Sequence, residues 1–548
     1  MAETGQSQST GPGGEAIPKG FRSAEQGWPE LHRIPHPPYR VPLLGDVLGA
    51  GVRTPVQDSM RVARRLGPVF RRKGFGKEIV FVWGAEQVAE LSDESRFAKH
   101  VGLGVANLRP VARDGLFTAY NHEPNWQLAH DVLAPGFSRS AMQGYHPLML
   151  DVARGLMERW DAGEAAGDPV DVPGDMTKLT LETIARTGFG YDFGSFERSR
   201  PHPFVTAMVG TLSFAQRRNV VPPPLTPLLL RGATKRNAAD TAYLNRTVDE
   251  VIARRREGGG GDEGAGAGGT GDLLDRMLET AHPETGERLT SDNIRRQIIT
   301  FLIAGHETTS GALSFALYYL ARNPQILARA REEVDRVWGA APEPAYEQVA
   351  KLRYVRRVLD ESLRLWPTAP AFAREAVRDT TLGGEHPMRR GAWALVLGLM
   401  LHRDPAAWGQ DAEEFDPDRF EPAAVRARPA HVYKPFGTGA RACIGRQFAL
   451  HEATLVLGLL LRRYDLHAEP GYRLRVAERL TLMPEGFTLR LTRRSGPGPA
   501  ASASAPTPAS EPESAPAPAP ASDDAEPPGQ GQCPHSAVLT TPRRATPS

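Results

Sequence analysis

Cys443 lies in a segment whose residue types suit the binding of a metal-bearing ligand. It is part of KPFGTGARACIG, in which three glycines permit tight turns and the close approach of a flat molecule. The apolar run from Ile444 onward predicts a helix, which would place the sulfur near a helix N-terminus. That position and the neighbouring Arg441 favour the thiolate, the form of cysteine that binds metal.

A single thiolate limits the kind of metal site. The chain has two cysteines, Cys443 and Cys533, and neither a second cysteine nor a histidine shares the loop of Cys443, so a four-ligand zinc site is excluded. The His-Glu pairs at 306–307 and 451–452 begin like the H-E-x-x-H zinc motif but lack its second histidine. One thiolate can still be an axial ligand of haem iron. The alternative for Cys443 is a small buried apolar side chain.

The composition is that of a globular chain with mixed surface charge. Of 548 residues, 40% are hydrophobic and 24% are charged, which suffices for one large domain or for two or three ordinary ones. The formal net charge of +2 provides no basic stripe, so no nucleic-acid partner is expected. Two cysteines fit a reducing cytoplasm, and the chain shows neither a signal peptide nor an apolar run of about 18 residues. We therefore expect a cytoplasmic protein without a membrane span.

Three stretches lack the periodicity of packed elements. Residues 1–33 are predicted to be a disordered leader, and residues 494–548 a disordered tail rich in Pro, Ala and Ser. The run Gly258–Gly271 is predicted to be a flexible surface loop. Neither a repeat nor a second linker interrupts residues 34–493, which we expect to form one large domain.

The domain is predicted to be mainly α with a small β-sheet region. From Asn293 to Asn323 apolar residues occur nearly all round, which predicts a helix of about 31 residues through the core, closed by Pro324. A polar island at Gly305–Gly311 interrupts this surface, and we expect a neighbouring group to pack against it. Strand patterns such as Glu78–Trp83 and Ala392–Leu397 are few.

Four motifs in one order resemble those of the cytochrome P-450 haem-thiolate monooxygenases. FGTGARACIG resembles the F-x-x-G-x-R-x-C-x-G cysteine loop, AGHETTS at 304–310 the long-helix signature, and FDPDRF at 415–420 the segment before the loop. ESLR at 361–364 resembles the E-x-x-R pair, which is structural in the family and linked to an arginine, here Arg419. The similarity, in particular to bacterial fatty-acid hydroxylases fused to a flavin reductase, covers residues 34–493. It implies a single large cytochrome P-450-type domain that holds haem b.

The resemblance implies catalytic roles for three residues. Cys443 would be the proximal thiolate of the haem iron, whose electron donation favours cleavage of dioxygen. Glu307 and Thr308 match the family's acid–alcohol pair, which orients the waters that deliver protons. The alternative for Thr308 is a hydroxyl bonded back to its own helix.

For the haem carboxylates, the resemblance implies hydrogen-bond donors that lie far apart in sequence. Lys99, His122, Trp126 and Arg441 can all donate to carboxylates. Many family members have W-x-x-x-R after this tryptophan, whereas this chain has His130 in place of the arginine. The assignment of donors to the haem carboxylates therefore rests mainly on Arg441 and Trp126.

The resemblance also implies an apolar substrate, in particular a long-chain fatty acid hydroxylated at a sub-terminal carbon. Phe117 matches the phenylalanine that overhangs the haem, and its alternative is a packing side chain. Lys77 and Phe81 stand where the fatty-acid hydroxylases hold the carboxylate with an arginine and a tyrosine. Lys77 thus keeps a positive charge for the carboxylate, but as a point charge, and Phe81 lacks the hydroxyl with which a tyrosine would donate a hydrogen bond. Another apolar metabolite is the alternative substrate.

The electron source is expected to be a separate protein. Beyond Arg493 the chain has neither the P-loop nor the Rossmann glycine pattern, which predicts a ferredoxin, flavodoxin or flavoprotein reductase as partner. The basic residues expected to steer such a partner to the thiolate face are Lys434, Arg441, Arg446, Arg462 and Arg463. A peroxide-driven peroxygenase and a haem-based sensor are the alternative functions, and the presence of Glu307 and Thr308 favours dioxygen activation.

Overall fold

The computed structural model describes residues 23–494, except 43, 47–52, 75–76, 199, 222–224 and 258–270. The predictions made for residues 1–22, for nearly all of the glycine-rich run and for the tail beyond Arg494 lie outside these residues.

Most of the described chain is helical, which confirms the predicted class. In chain order the α-helices are α1 (Ala24–Gly27), α2 (Pro55–Leu66), α3 (Ala85–Leu91), α4 (Leu103–Ala106), α5 (Arg109–Ala112), α6 (Asn125–Leu133), α7 (Arg139–Ala166), α8 (Val172–Phe189), α9 (Pro203–Val220), α10 (Thr226–Leu229), α11 (Arg231–Glu257), α12 (Leu273–Glu279), α13 (Ser291–Arg322), α14 (Pro324–Trp338), α15 (Tyr346–Val349), α16 (Arg353–Leu365), α17 (Gly398–Leu401), α18 (Pro405–Trp408), α19 (Pro422–Ala427) and α20 (Arg446–Arg463). Short 3-10 helices cover Leu31–Arg33, Ala134–Phe137 and Pro417–Phe420.

The strands form one larger sheet and several small ones. They are β1 (Val69–Gly74), β2 (Lys77–Val82), β3 (Phe97–His100), β4 (Val170–Asp171), β5 (Ala371–Ala376), β6 (Thr380–Leu382), β7 (His386–Met388), β8 (Trp393–Leu397), β9 (Tyr464–Ala468), β10 (Val476–Glu478), β11 (Leu482–Pro484) and β12 (Thr488–Arg493). The larger sheet has the order β1-β2-β8-β5-β3, and the others are β4-β12-β9, β6-β7 and β10-β11.

The two strand patterns recognised in the sequence are β2 and β8, which are neighbours in the larger sheet. They pair in parallel, with Phe81 opposite Leu395, whereas the other pairs in that sheet are antiparallel. At the far edge Lys99 of β3 pairs with Arg374 of β5, which fixes the position of Lys99 in the framework.

Helix α13 is the long helix predicted from the sequence. Thr290 caps it by accepting a hydrogen bond from the Asn293 N–H at 3.2 Å. Pro324 follows it and is also the first residue of α14, where a missing N–H costs nothing. At Gly311 an added Cβ would lie 2.7 Å from the Leu482 carbonyl oxygen, so glycine lets the β10–β11 hairpin approach. The expectation that a neighbouring group packs against the polar island is confirmed.

The folded part of the chain begins before Ile34, where the sequence pattern placed its start. Ser23 and Gln26 form a capping box at the start of α1. Trp28 is 2% exposed, and its Nε1–H donates to the Trp393 carbonyl oxygen at 3.2 Å. Residues 23–33 therefore belong to the domain and not to a leader, because a single buried tryptophan anchors a segment of otherwise polar composition.

Two apolar clusters fix the elements that surround the candidate site. The larger lies mainly among α7, α8, α13, α14, α16 and α20, and the second covers the larger sheet. Helix α20 begins at Arg446, directly after the cysteine loop, and buries Leu455 and Leu457 completely. Each such leucine contributes about 1.5–3 kcal/mol of burial free energy. The cysteine loop is thus held at one end by a core helix.

Candidate functional site

The loop that carries Cys443 is a tight turn closed by its own backbone. The Cys443 N–H donates to the Phe436 carbonyl oxygen at 2.9 Å, and the Ala442 N–H donates to the Gly439 carbonyl oxygen at 2.9 Å. Gly437 and Gly439 have φ values of 74° and 72°, in the left-handed region that favours glycine. Gly437 and Gly439 are therefore required by the turn that presents the sulfur.

The Cys443 thiol is accessible to solvent, yet protein atoms surround it closely. This desolvation raises the pKa of the thiol, while the Gly445 N–H and the charge of Arg446 act in the opposite direction. The pKa of the Cys443 thiol is thus raised, whereas the sequence predicted a lowered pKa and a thiolate. A bound metal ion reverses it, because a coordinating thiol is deprotonated outright.

The E-x-x-R pair holds the start of the cysteine loop. Arg364 donates to the two carboxylate oxygens of Glu361 at 2.6 and 2.7 Å, and both side chains are fully buried. Arg419 Nε lies 3.7 Å from Glu361 Oε1, as the resemblance implied. Arg364 also donates to the His402 carbonyl oxygen at 2.9 Å, and His402 Nε2 accepts from the Lys434 N–H at 2.9 Å. The buried pair is thereby connected to the first residue of the loop.

His402 was not identified from the sequence, although it is the bridge between the two motifs. Burial, with the nearby charge of Arg364, lowers the pKa of His402 to about 3. The ring is therefore neutral, which is the state in which Nε2 accepts the Lys434 N–H. No local pattern marks this role, since the ring and its partner lie 32 residues apart.

Lys99 and Arg441 are brought together as two cations without a carboxylate partner in the described part of the chain. Lys99 Nζ donates to the Phe117 carbonyl oxygen, and Arg441 donates to the Ala119 carbonyl oxygen at 2.8 Å. Desolvation lowers the pKa of Arg441 to about 10. Desolvation and the charge of Arg441 lower the pKa of Lys99 well below its usual value. Such a pair favours a ligand that brings its own negative charge.

Trp126 and His122 lie beside these cations. The Arg441 guanidinium stands 4.4 Å from the centre of the Trp126 ring, which in turn stacks on His130 at 5.0 Å. His122 is exposed and stacks on Tyr120 at 5.6 Å. The structure thus groups Lys99, Trp126 and Arg441, with His122 on the adjoining loop.

The donor set fits haem. Cys443 offers one thiolate ligand to iron, and the group around Lys99 and Arg441 offers donors and positive charge to two carboxylates. In the described ranges no cluster of three or more His, Cys, Asp or Glu side chains is arranged to hold a metal ion. A cofactor that brings four of its own ligands and needs one thiolate matches this arrangement.

Thr308 and Glu307 lie next to each other on α13 but are held by different partners. The Thr308 hydroxyl donates to the Ala304 carbonyl oxygen at 2.8 Å, which is the alternative that the sequence left open. Glu307 is 3% exposed and accepts from the Thr481 hydroxyl at 2.8 Å. Arg479 lies 3.6 Å from Glu307 Oε1. The acid is therefore turned toward the β10–β11 hairpin.

Thr481 and Arg479 are functional candidates that the sequence analysis missed. They flank the tip of the hairpin, where the Arg479 N–H donates to the Thr481 carbonyl oxygen at 3.0 Å. The Leu482 N–H, next along the chain, donates to the Thr368 carbonyl oxygen at 3.0 Å and fixes the hairpin. Thr481 is 174 residues from Glu307 in sequence, so only the fold reveals the contact.

The predicted substrate residues differ in their surroundings. Phe117 is half-buried, packs against the main core cluster and lies 5.1 Å below the Lys99 ammonium. Lys77 begins β2, and desolvation together with the charge of Arg218 lowers its pKa. Phe81 is 6% exposed and stacks on Phe70 at 5.0 Å in a separate core cluster. Phe81 is thus a core residue, and Arg218 is an additional cation that the sequence did not suggest.

A mainly helical domain with one cysteine in a glycine turn, and with two desolvated cations beside that turn, fits a haem-thiolate protein. Comparison with known protein families gives a match between residues 35–490 and the family described as cytochrome P-450. The chain belongs to the cytochrome P-450 family, and membership implies haem with a cysteine thiolate ligand to iron.

Similar proteins include fusions of a cytochrome P-450 with a reductase. The bifunctional cytochrome P-450/NADPH–P-450 reductase of Bacillus cereus is 47% identical over 467 residues, which cover 85% of this chain and 42% of that protein. A Bacillus subtilis protein of the same description is 47% identical over 439 residues, covering 80% and 40%. A self-sufficient cytochrome P-450 monooxygenase of Exserohilum turcicum is 37% identical over 468 residues, covering 85% and 43%. The chain spans about two fifths of the length of these relatives.

Proposed function

We propose that the protein is a monooxygenase that inserts one oxygen atom from O2 into an apolar substrate, a long-chain fatty acid hydroxylated at a sub-terminal carbon. The observation that carries the reaction type is the buried Glu307 beside Thr308 on α13 of a cytochrome P-450 domain. Dioxygen activation consumes protons, which such a pair can deliver, whereas peroxide already brings its protons and electrons.

Haem bound at this site would supply the redox chemistry that activates dioxygen. Cys443 is proposed to ligate the iron through its sulfur. Lys99, Arg441 and Trp126, with His122 as a further donor, are proposed to hold the carboxylates. Because desolvation disfavours both cations in the absence of an anion, carboxylate binding restores the charge balance of this corner of the domain.

Thr308 and Glu307 are proposed to pass protons inward. Each must exchange its present partner for water, Thr308 the Ala304 carbonyl oxygen and Glu307 the Thr481 hydroxyl. Arg479 supports this role, because its side chain is 47% exposed and links the buried acid to the protein surface. We therefore propose that the hairpin tip positions Glu307 and lies on the route by which protons enter.

The fatty-acid assignment rests on the resemblance and is supported by charge. Lys77 is a half-buried cation without a carboxylate partner in the described part of the chain, and Arg218 adds positive potential near it. Two desolvated cations favour the binding of a single anion. A fatty acid supplies one carboxylate, which suits the cations Lys77 and Arg218, and a long apolar chain, which suits the apolar interior of the domain.

A separate ferredoxin, flavodoxin or flavoprotein reductase is proposed as the electron donor. Lys434 and Arg446 flank the cysteine loop, and Arg446 is exposed. Arg463 is ion-paired with Asp161, and Arg462 donates to backbone carbonyl oxygens, so these two serve the fold. Lys434 and Arg446 remain as the charges that attract an acidic partner.

The test combines binding and turnover by the haem-loaded protein. Fatty acids of graded chain length and the corresponding alcohols are titrated while the haem spin state is recorded. Product is then measured with a ferredoxin, its reductase and NADPH under labelled dioxygen, and separately with peroxide alone. We expect a spin-state shift that strengthens with chain length and one labelled oxygen atom per product.

Two outcomes contradict parts of the proposal. Product with peroxide but none with the electron-transfer system identifies a peroxygenase. If no fatty acid shifts the spin state but another apolar compound does, the assignment as a monooxygenase stands and the assignment of a fatty acid as substrate is wrong. Cys443→Ser serves as the control for product formed without the thiolate.

A further inference from the structure

The loop between α5 and Phe117 contains a residue with an unusual backbone conformation. Arg113 has φ 35° and ψ −108°, which residues other than glycine rarely adopt. Such a conformation persists only where the surrounding contacts fix it. Arg109 contacts both ends of the loop, because its Nη1–H groups donate to the Arg113 carbonyl oxygen at 3.0 Å and to the Thr118 carbonyl oxygen at 2.9 Å. We refer to residues 113–118 as the Phe117 loop.

Helix α13 holds the first half of the Phe117 loop through an ion pair. Arg296 Nη1 lies 2.7 Å from Asp114 Oδ1, and the two side chains are 19% and 12% exposed. Asp114 also accepts a hydrogen bond from the Asn125 Nδ2–H at 2.6 Å. Burial acts to raise the pKa of Asp114, but the bonds from Asn125 and Arg296 outweigh it and lower that pKa. The carboxylate is therefore ionised at neutral pH and keeps its attraction for Arg296.

The next two residues of the loop also contact α13. Gln297 is fully buried, and its Oε1 accepts a hydrogen bond from the Leu116 N–H at 2.9 Å. At Gly115 an added Cβ would collide with the Thr300 hydroxyl oxygen, so the backbone of the loop lies directly against the helix. Three consecutive residues of the loop, 114–116, are thus held by one face of α13.

The second half of the loop contacts the two cations of the candidate site. Lys99 Nζ donates to the Phe117 carbonyl oxygen, and the ammonium lies 5.1 Å from the centre of the Phe117 ring. Arg441, in the cysteine loop, donates to the Leu116 carbonyl oxygen at 3.3 Å and to the Ala119 carbonyl oxygen at 2.8 Å. The Phe117 loop is therefore fixed by α13 on one side and by the proposed donors to the haem carboxylates on the other.

We propose that Arg296 and Gln297 are positioning residues that fix the Phe117 ring and so determine which carbon of the substrate is hydroxylated. The inference rests on the proposed function, because the resemblance implies that Phe117 overhangs the haem. A ring held in one place excludes part of the space beside the iron, and a mobile ring opens that space to other orientations of the substrate. Because a displacement of about 1 Å in a group that orients a substrate can change a rate by about a hundredfold, small movements of the loop should alter the product distribution.

The experiment compares the haem-loaded Arg296→Gln variant with the unmutated protein. Amide hydrogen exchange of the loop should accelerate by about tenfold, because the charge-assisted bond to Asp114 is lost. The dissociation constants of imidazole and 4-phenylimidazole are read from the haem spectrum, and their ratio should shift by about fivefold in favour of the larger ligand. The ratio of hydroxylated positions in the product should change by a similar factor. Gln297→Met, which keeps the side-chain length but lacks the acceptor for the Leu116 N–H, should act in the same direction.

Arg295→Gln is the matched control. Arg295 is the neighbour of Arg296 on α13 but pairs with Asp249 and Asp292, which lie outside the Phe117 loop. This variant should leave the exchange rate and both ratios unchanged. Arg296→Lys keeps a charge for Asp114 and should restore most of the unmutated behaviour. Phe117→Ala is the positive control and should shift both ratios further than Arg296→Gln does.

The proposal is overturned if Arg296→Gln leaves the ligand ratio and the product ratio unchanged, even where exchange accelerates, because the contact would then serve the fold alone. It is also overturned if Phe117→Ala leaves the ligand ratio unchanged, since Phe117 would then lie away from the haem. The ligand ratio requires neither turnover nor a fatty acid. Absence of hydroxylated fatty acids therefore contradicts the proposed function without deciding this one, and the product ratio is then read on the apolar compound that is oxidised.

Discussion

Replacing Glu452 by glutamine is expected to stabilise the folded protein, and increasingly so between about pH 5 and pH 8. Glu452 lies on α20, the helix that follows the cysteine loop, and is 1% exposed. Its Oε1 has no hydrogen-bond partner in the described part of the chain. Burial raises the pKa of Glu452 to about 8, with the Thr183 hydroxyl acting in the opposite direction.

The sign follows from proton binding in the two states. The pKa of Glu452 is about 8 in the folded protein and near 4.5, its ordinary value, in the unfolded chain. Between these values the folded state holds a proton that the unfolded state has lost, so stability falls by about 1.4 kcal/mol per pH unit. Below pH 4.5, the pKa of Glu452 in the unfolded chain, its ionisation does not change the free energy of unfolding. Above pH 8 the ionisation lowers the free energy of unfolding by its full amount, about 5 kcal/mol. Glutamine does not ionise and removes this dependence.

Thermal unfolding of the haem-loaded protein over pH 5–8 measures the effect. In a domain of this size 1 kcal/mol corresponds to about 1 °C in Tm, so the gap between the variant and the unmutated protein should widen by about 4 °C. Any packing cost of the amide is independent of pH and shifts the whole curve. Glu332→Gln, an exposed change on α14, is the control and should leave the profile unchanged. Parallel curves for Glu452→Gln and the unmutated protein would show that Glu452 is ionised when folded.

Three further changes test the candidate site. Thr308→Ala should leave haem binding and substrate affinity intact but divert reducing equivalents to peroxide, measured as product formed per NADPH; unchanged coupling would assign Thr308 to its own helix alone. Arg364→Lys should lower haem content and cost about 3–5 kcal/mol, because lysine cannot keep the bonds to Glu361 and to backbone carbonyls; normal haem content and Tm would refute this. Lys77→Ala should weaken fatty-acid binding by up to about fivefold, with a smaller loss at high salt and none for fatty alcohols; an equal loss for acid and alcohol would exclude a charge contact.

The elements that repeat a local pattern could be predicted from the sequence. Helix α13 was located to within two residues because it is apolar nearly all round, and β2 and β8 because they are short apolar runs. The cysteine turn could be inferred because two closely spaced glycines, Gly437 and Gly439, suit the positive φ that both adopt. These features depend only on residues close together in the chain.

The contacts that tune the site could not be predicted, because they join distant segments. The hairpin residues Thr481 and Arg479 meet Glu307 only after α13 and β11 have packed. For Cys443 the helix terminus and the nearby positive charge could be read from the residues around it, but the desolvation that raises the pKa of its thiol comes from the folded surroundings. Phe81 was expected at a channel mouth and is instead stacked in the core, since its neighbours in space are not its neighbours in sequence.

The most direct test of the central claim is the absorption spectrum of the reduced protein with carbon monoxide. If Cys443 is the proximal ligand of haem, the Soret band shows the red shift that thiolate ligation produces. Cys443→Ser should lose this band or lose haem, and Cys533→Ser, a change outside the described residues, should keep it. Retention of the red-shifted band in Cys443→Ser would contradict the assignment of the thiolate and with it the proposed monooxygenase.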